Sequence, residues 1–343
     1  MKSSEKVKDF VSIIMVTYNS ASKLGSFFNN VIHSIMNLDY DNHALVIVDN
    51  NSQDNTINHI KELMKSFKAK CFIIKLKQNK GLPYAYNVGA IAAVKLFPNT
   101  KYFLFMNDDV ILSRNIIFAL IEALKSSCGA VQPIIIHLDG HKEVGFKIGV
   151  TGYVKPIEYK EIHPLGSLVR VPVIVGAALM VAKEVFFSTG MFDGSMFWGY
   201  DDVDFCWRLH KHGYTTCITT KTNVIHYGSA TWGKENPIKY FYNTSNHIYM
   251  FYKNHDFVKA ILLTPFLIIE ILRLLLWKLS RKDLKSVKAI LLGIFNGVLR
   301  IPLALKSCKV LKCLKTPFTY FDLKVDLELI LGKFYKTIFK GGK

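Results

Sequence analysis

The sequence has few features of a protein stabilised by a structural metal site or by many disulfides. Its six cysteines form no CxxC pair and have no metal-ligand spacing, and several lie inside apolar stretches. We therefore expect buried free thiols in a reducing compartment. The pattern G-x-G-x-x-G is absent too, which removes the main support for dinucleotide-dependent hydride transfer. The cysteines are Cys71, Cys128, Cys206, Cys217, Cys308 and Cys313.

Negative charge is scarce in the last third of the chain. Residues 1–232 carry 24 Lys and Arg against 19 Asp and Glu, whereas residues 233–343 carry 20 against 7. The basic residues of the second part alternate with long apolar runs, which favours an anionic membrane surface over nucleic acid as the partner. We therefore predict a globular domain over residues 1–232 and a basic, membrane-surface helical region over residues 233–343. A nucleic-acid-binding protein is a competing hypothesis, which requires steeply salt-dependent binding.

The polar N-terminus is followed by an apolar run, Val11–Val16, that is too short for the core of a signal peptide. This run is typical of a first strand. We therefore expect the chemistry to lie on the cytoplasmic side of the membrane.

Through about residue 150, short β-rich runs alternate with segments of helical length. This alternation predicts an α/β fold, with a mostly parallel sheet covered by helices on both faces. The predicted strands are Val11–Thr17, Ala44–Val48, Cys71–Leu76, Lys101–Met106 and Ala130–Ile136. The predicted helices are Ala21–Asn37, Gln53–Phe67, Pro83–Leu96 and Ser113–Ser127. The alternation of strands and helices is lost over residues 139–170, which predicts a loop region near the active site.

Two apolar segments of the tail carry charges. Glu270 and Arg273 would each cost roughly 2.5–3.5 kcal/mol in the middle of a spanning helix at Phe257–Leu279. Over Leu284–Leu305, we predict a basic amphipathic helix lying in the membrane interface. Packing on the globular domain or on a second subunit is the next alternative, and a true span the third. The polar face is formed by Lys285, Lys288, Asn296 and Arg300, and the apolar face by Ile290, Leu291, Ile294 and Val298.

The most informative motif is Asn107-Asp108-Asp109, directly behind the predicted strand Lys101–Met106. Adjacent carboxylates at the C-terminal edge of a parallel sheet can hold Mg²⁺ or Mn²⁺ with positions left for a diphosphate. The same three residues are also ordinary turn formers. The metal-binding interpretation of this motif therefore depends on the further motifs of the sequence.

Three further segments have both a binding and a structural interpretation. Val48–Asp54 places Asp49 where a carboxylate can accept the imide N–H of uracil or thymine, although for this run taken alone we favour a capped helix start. Thr17, Tyr18 and Asn19 follow strand one and can hold a base or form a turn. Glycines after Asn79 allow close backbone approach before a helix start that can bind anions. The candidate nucleotide-binding residues are Thr17, Tyr18, Asn19, Asp49, Asn79, Gly81, Asn87 and Asp108.

These segments in this order resemble the family 2 glycosyltransferases with the GT-A fold, in particular a rhamnosyltransferase-like branch that acts on lipid-linked glycans. The second half adds Gly176–Val181, which is similar to a donor-sugar strand. Asp201–Leu209 resembles the acidic pair with its trailing arginine, and Val224–Ser229 resembles the downstream histidine segment. The resemblance covers about residues 10–255 with five ordered motifs.

The resemblance implies roles for individual residues. Asp109 and His226 would bind the metal, Asp108 the ribose or the metal, and Asp202 would be the general base, with Asp201 positioning the acceptor hydroxyl or the base. The sugar-binding residues would be Gly176, Ala177, Trp198, Tyr200 and Arg208. The alternatives are a helix N-terminal role for the acids, a core histidine at position 226, core aromatics, and an Arg208 that only pairs with Asp204 or Asp201.

The sequence departs from the family pattern at three positions. Asn107 stands where many relatives have an acid, Asp201 replaces the more usual Glu, and Ser245 stands where relatives often have Arg. The resulting prediction is an inverting, metal-dependent glycosyltransferase that uses a UDP- or dTDP-sugar and a lipid-linked glycan acceptor. A homo-oligomer is a further candidate assembly. A catalytically silent nucleotide-sugar-binding scaffold on the same fold is the alternative.

Overall fold

Apolar runs between residues 10 and 226 form the strands of a ten-stranded sheet in this computed structural model. The structure describes residues 8–67, 69–162, 166–228, 236–310 and 325–327. The strands are β1 (Phe10–Thr17), β2 (His43–Asp49), β3 (Lys70–Lys75), β4 (Thr100–Asn107), β5 (Val110–Leu112), β6 (Ala130–His137), β7 (Lys142–Glu143), β8 (Phe146–Ile148), β9 (Val154–Pro156), β10 (Leu168–Arg170), β11 (Ala178–Ala182) and β12 (Thr216–His226). Strands β8 and β9 pair separately from the main sheet.

The main sheet is mixed rather than mostly parallel. Its order is β10, β12, β6, β11, β4, β1, β2 and β3, with β5 paired to β12 and β7 to β6. The strands β4, β1, β2 and β3 are parallel, as predicted. Strand β11 runs antiparallel between β4 and β6, and β12 is again parallel to β6. The predicted α/β class with a sheet buried on both sides is confirmed.

Helices cover both faces of the sheet. Two clusters of buried apolar side chains form the hydrophobic core between the helices and the sheet. The predicted helix Ala21–Asn37 is two helices, because Gly25 adopts a φ of 53° between them. The helices are α1 (Ser20–Leu24), α2 (Ser26–Met36), α3 (Thr56–Leu63), α4 (Leu82–Leu96), α5 (Ile116–Lys125), α6 (Tyr159–Ile162), α7 (Lys183–Ser188), α8 (Asp201–Lys211), α9 (Ile238–Asn254), α10 (Phe257–Ser280), α11 (Leu284–Leu299) and α12 (Ile301–Val310).

The prediction of free thiols is wrong for two cysteines. Cys128 and Cys217 form a disulfide between residues 89 positions apart, at the starts of the neighbouring strands β6 and β12. The sequence gives no sign of this pairing, since only the sheet order brings the two residues together. Cys71 and Cys206 are free, and Cys206 is buried. Cys313 lies outside the described residues.

Helix α11 packs on α9 through its glycines. A Cβ at Gly293 would lie 2.7 Å from the backbone oxygen of Phe241, and one at Gly297 would lie 2.9 Å from the Ile248 Cβ. The small residues therefore set a close helix–helix approach, since backbone atoms cannot move aside. Packing on the rest of the chain, one of the alternatives for this segment, is what the described residues show. The predicted domain boundary at residues 232 and 233 falls outside them and stays a prediction.

The predicted polar and apolar faces of α11 are wrong in part. Asn296 accepts a hydrogen bond from Ser245 of α9, 2.7 Å long, and Arg300 donates one to Asn246, so both polar side chains point inward. Leu291 and Val298 point outward and are about half exposed. The sequence pattern missed this because glycine and polar residues, rather than leucines, form the helix contact.

Helix α10 presents an apolar outer surface. By length and composition it can cross a membrane, and α11 with the first part of α12 forms a pair bent by 48° that also meets this test. The predicted cost of Glu270 does not arise at the outer surface, because its carboxylate is buried and accepts a 2.9 Å hydrogen bond from Thr151. The exposed apolar side chains of α10 include Phe257, Val258, Ile261, Leu262, Ile268, Ile269, Leu272, Leu276 and Trp277.

We predict that Gly293→Val destabilises the protein by roughly 1–3 kcal/mol, because the added atoms overpack the contact with α9. Denaturant unfolding of the full chain in detergent measures the loss. Lys288→Ala on an exposed position of the same helix is the control and should change stability little. Equal stability of the two variants would contradict the packing described here.

Candidate active site

The candidate site lies where strands with polar C-terminal residues end together. Parallel β1, β2 and β4 end at Thr17, Asp49 and Asn107, and the parallel pair β6 and β12 ends at His137 and His226. Strand ends of one direction meet at one edge of a sheet, where ligands of open α/β sheets bind. The backbone N–H of Tyr227 donates to the Asp109 carbonyl at 2.9 Å, which ties the histidine segment to the acidic motif.

A cavity of about 1090 Å³ opens at this edge. Polar residues from seven segments line it, and aromatic side chains form one wall. Its lining is Val16, Tyr18, Lys23, Asn50, Asn79, Gly81, Leu82, Asn107, Asp108, Asp109, His137, Leu138, Asp139, Glu143, Val175, Phe197, Trp198, His226, Tyr227, Gly228 and Lys239. A volume of this size accommodates a nucleoside diphosphate and a sugar ring.

Asp109 and His226 lie together at the cavity, as the sequence predicts for metal ligands. The Nε2 atom of His226 is 3.2 Å from the Asp109 Oδ1. Burial disfavours the charged imidazole, but the adjacent Asp109 carboxylate outweighs it and raises the pKa of His226. Among the described residues, the Oδ1 of Asp109 and the Nδ1 of His226 are buried and make no hydrogen bond of good geometry. A carboxylate oxygen and an imidazole nitrogen in this position are ligand types that fit a divalent cation.

His137 and Glu143 extend this cluster and were not predicted. The Nε2 of His137 is 3.0 Å from the Glu143 Oε2, and one ligand atom from each of His137, Glu143 and His226 lies within 4.8 Å of the others. His137 is the last residue of β6, one position beyond a predicted strand, so the strand-end argument applied to Asp109 would have found it. Glu143 follows in the hairpin to β7 and has no comparable sequence signal.

Asp108 lines the cavity beside Asp109. Its carboxylate accepts a hydrogen bond from the Ser20 hydroxyl of α1. Burial and the negative charge of Asp109 raise the pKa of Asp108 to about 7. Lys23 from the same helix also lines the cavity and was not predicted. Its ammonium lies 4.3 Å from the ring centre of Tyr18.

The second acidic pair begins helix α8. Asp202 accepts a 3.2 Å hydrogen bond from the backbone N–H of Gly176 and a 2.8 Å bond from that of Val203. Burial raises the pKa of Asp202, with a smaller contribution from Glu143. Burial and the neighbouring Asp202 raise the pKa of Asp201 to about 8. Desolvation therefore outweighs the helix N-terminus, which favours ionised acids.

The two acidic segments approach each other across β11. The N–H of Asn107 donates to the Ala177 carbonyl at 3.0 Å, and the adjacent Gly176 donates to Asp202. The buried phenol of Tyr86 donates to Asn107 at 2.7 Å. Its pKa is raised, first by burial and then by the charges of both acidic pairs. The charges of both acidic pairs therefore act on the same buried phenol.

The predicted nucleotide-binding residues divide into two groups. Tyr18, Asn79, Gly81 and Asp108 line the cavity. The others are buried or bonded within turns: Asp49 accepts from Thr17 and Ser52, Asn19 accepts from Gln53, and Asn87 bonds the backbone of Phe192 in both directions.

Glycine at position 81 allows its backbone to approach the backbone of Phe197 closely. Its φ is 87°, and a Cβ there would lie 2.3 Å from the Phe197 carbonyl oxygen. The start of α4 therefore presses against the aromatic wall. This is the structural reason for the glycine, independent of any ligand.

The predicted sugar-binding residues separate in the same way. Trp198 lines the large cavity, and Gly176 and Ala177 hold Asp202 and Asn107 through their backbones. Tyr200 has a φ of 65° before α8 and lines a second cavity instead. Arg208 is buried and donates from Nε to Asp204 at 2.8 Å, which is the pairing alternative for this residue.

A guanidinium does lie next to Ser245, but it belongs to Arg300 at the end of α11. The guanidinium of Arg300 contacts Ser245 at 3.4 Å and donates to Asn246 at 2.8 Å. Its charge therefore reaches the place where the family pattern leads one to expect an arginine. Lys239, also from this region, lies 5.8 Å from the ring centre of Trp198 and lines the large cavity.

The family model described as glycosyl transferase family 2 matches residues 12–186, just over half of the chain. The chain belongs to glycosyl transferase family 2. The matched range includes Asp108 and Asp109 and ends before Asp201, Asp202 and His226. The family predicted from the sequence is confirmed.

Two curated relatives illustrate the family. Poly-beta-1,6-N-acetyl-D-glucosamine synthase of Staphylococcus epidermidis is 23% identical over 221 residues, 62% of this chain and 49% of that protein. The chain thus spans about half the length of that relative. The dTDP-rhamnosyl transferase RfbF of Shigella flexneri is 24% identical over 253 residues, 71% of this chain and 80% of that protein.

Solved structures share the fold at low identity. GalNAc-T7, solved with UDP, GalNAc and Mn²⁺, superposes with a TM-score of 0.58 at 14% identity over 72% of this chain and 48% of that chain. The mannosyltransferase PcManGT of Pyrobaculum calidifontis, in complex with GDP-Man and Mn²⁺, gives 0.51 at 15% identity over 94% and 86%. The GT-A-like fold of this family member is therefore shown.

We predict that Asp201→Asn reduces the pH dependence of stability. An acid whose folded pKa is raised to about 8 stabilises the fold fully only below its unfolded pKa, and this contribution is lost as pH rises toward 8. The variant should therefore lose less stability than the parent between about pH 4 and 8. Denaturant unfolding across that range measures it. Asp39→Asn, in an exposed ion pair, is the control, and a variant slope equal to the parent's would contradict the prediction.

Proposed function

We propose that this family 2 member is an inverting, divalent-cation-dependent glycosyltransferase. It moves a sugar from a nucleoside diphosphate to a lipid-linked glycan at the cytoplasmic face of a membrane. One observation carries the proposal: the acidic motif after β4 lines the large cavity, and the residues that lead into β11 bond both to this motif and to the acidic pair at the start of α8. Asp201 and Asp202 are themselves not among the described residues that line this cavity or the second one.

The cation belongs at Asp109 and His226, whose buried side chains supply an oxygen and a nitrogen. When bound, Mg²⁺ or Mn²⁺ neutralises the charge that develops on the diphosphate leaving group. Asp108, with Ser20 donating to it, is placed to contact the ribose. Lys23 adds a positive charge to the same wall of the cavity.

Asp202 is the proposed general base. Hydrogen bonds from Gly176 and Val203 fix its carboxylate, and burial keeps its pKa above the usual value for an aspartate. A base with a raised pKa accepts a proton from an acceptor hydroxyl more readily near neutral pH. A single displacement at the anomeric carbon inverts the configuration, so no carboxylate nucleophile is needed. Asp201 positions the base beside it.

We propose a uridine or thymidine diphosphate as the donor nucleotide. The rhamnosyl transferase among the relatives bears a dTDP donor in its name, which favours this group. Asp49 is fully buried and does not line the cavity, whereas Tyr18 and Asn50 do, so these two residues are the proposed contacts of the base. The Tyr18 ring, held by Lys23, offers a stacking surface.

The acceptor is proposed to enter through a second cavity of about 430 Å³ between Tyr200, α9 and α10. Tyr200 directly precedes the acidic pair, so an acceptor hydroxyl here lies near the base. The rim includes Arg273, an exposed cation suited to a lipid-linked phosphate. The lining is Tyr153, Tyr200, Tyr240, Asn243, Thr244, His247, Glu270, Ile271, Arg273, Leu274 and Trp277.

The outer surface of α10 is the proposed membrane contact. Its exposed leucines, isoleucines and Trp277 continue from the rim of the second cavity. An apolar surface of this extent on a basic tail suits an anionic bilayer. A second copy of the chain covering the same surface would make a homo-oligomer instead.

We predict that Asp202→Asn lowers kcat by roughly 10²–10⁴-fold while donor affinity stays nearly unchanged, because a base acts on the acceptor. Calorimetry with donor and a turnover assay measure the two quantities. Glu184→Gln, an exposed acid, is the control. Equal loss of affinity and turnover would overturn the role of Asp202. If the parent protein binds the donor but never transfers or hydrolyses it, with metal or with EDTA, the silent-scaffold alternative holds.

We predict that the double variant Leu272→Gln and Leu276→Gln weakens flotation with phosphatidylglycerol vesicles, because both side chains are exposed on α10, at 49% and 62%. The matched control is Phe72→Gln with Ile91→Gln, exposed at 41% and 40% elsewhere on the molecule. Unchanged flotation of the α10 variant, with the same mass in solution, would rule out this surface as the membrane contact. A change from dimer to monomer would identify it as a subunit interface.

A further inference from the structure

We propose that the hairpin residues His137 and Glu143 join Asp109 and His226 as ligands of the cation, and that this shell binds Mn²⁺ more tightly than Mg²⁺. The inference rests on the proposed function, since it extends that function's metal site. It assigns a metal to residues outside both acidic motifs.

The position of the hairpin supports the assignment. β6 and β12 are parallel neighbours, and His137 and His226 are register partners at their ends, with ring centres 5.2 Å apart. The Glu143 carboxylate reaches back from β7 to 3.0 Å from His137. All these side chains line the same cavity as Asp109.

The Asp109 oxygen provides an independent indication. This side chain is 8% exposed, and among the described residues its Oδ1 makes no hydrogen bond of good geometry; the nearest charged group is the His226 imidazole, whose Nε2 is 3.2 Å away. A buried carboxylate oxygen without a donor is costly, and a cation removes that cost. His226 belongs both to this pair with Asp109 and to the group of His137, Glu143 and His226, whose ligand atoms lie within 4.8 Å of one another.

The ligand types determine the metal preference. Mg²⁺ prefers oxygen ligands in near-ideal octahedral geometry and keeps several waters. Two imidazole nitrogens favour a transition metal, and Mn²⁺ accepts carboxylate, diphosphate oxygen and imidazole together. Removing one imidazole should therefore affect Mn²⁺ more than Mg²⁺. A purely structural His137–Glu143 pair would affect both ions equally or neither.

The experiment measures binding of the ions to the full-length protein in detergent, without turnover. Mn²⁺ affinity is read by electron paramagnetic resonance and Mg²⁺ affinity by competition, each with uridine diphosphate as the probe for the donor diphosphate. The variants are His137→Asn and Glu143→Gln. His141→Asn is the matched control, because His141 stacks on His137 in the same hairpin but is exposed and outside the cluster.

We expect His137→Asn to weaken Mn²⁺ binding by roughly tenfold or more with a smaller change for Mg²⁺, and Glu143→Gln to weaken both. Pulsed resonance should detect two coordinating imidazole nitrogens in the parent and one in His137→Asn, a readout independent of affinity. An unchanged Mn²⁺-to-Mg²⁺ preference and a single nitrogen in the parent would overturn the inference while leaving the proposed function intact. No Mn²⁺ or Mg²⁺ binding in the parent would instead refute the metal dependence of the proposed function.

Discussion

The antiparallel insertion of β11 is the constraint on which the site depends. Its entry residues Gly176 and Ala177 give one backbone N–H to Asp202 and one carbonyl to Asn107. These two bonds bring together acidic segments that are separated by almost a hundred residues. Because Gly176 and Ala177 contribute only backbone atoms to these bonds, the bonds depend on the position of the strand more than on the identity of its side chains. A shift of β11 by one residue would exchange its faces and separate the acids.

Burial then determines the chemistry of these acids. The carboxyls of Asp108, Asp201 and Asp202 have raised pKa values, with burial as the largest cause in each case. The site is therefore less charged before it binds a ligand than its composition implies. A cation and a diphosphate bring opposite charges into this region, so the binding of each favours the binding of the other.

Local sequence signals predicted what is local in the structure. The strand ends at Thr17, Asp49 and Asn107 follow from continuous apolar runs, and the parallel order of the first strands follows from their alternation with helices. Partners distant in the chain were beyond such signals. Asn87 has the right neighbourhood for a ligand contact, yet it bonds the backbone of Phe192, 105 residues away. The disulfide and the inward-facing Arg300 depend on tertiary neighbours in the same way.

The short segment Phe197–Tyr200 contributes lining residues to both cavities and so forms part of the wall of each. Phe197 and Trp198 face the large cavity, Tyr200 faces the smaller one, and Asn243 approaches so closely that a Cβ at Gly199 would lie 2.4 Å from its side-chain oxygen. Any substitution that reshapes one side of this wall also displaces the other. Under the proposed function, donor and acceptor preferences are therefore coupled through this segment, and a change of one preference during divergence would require an adjustment of the other.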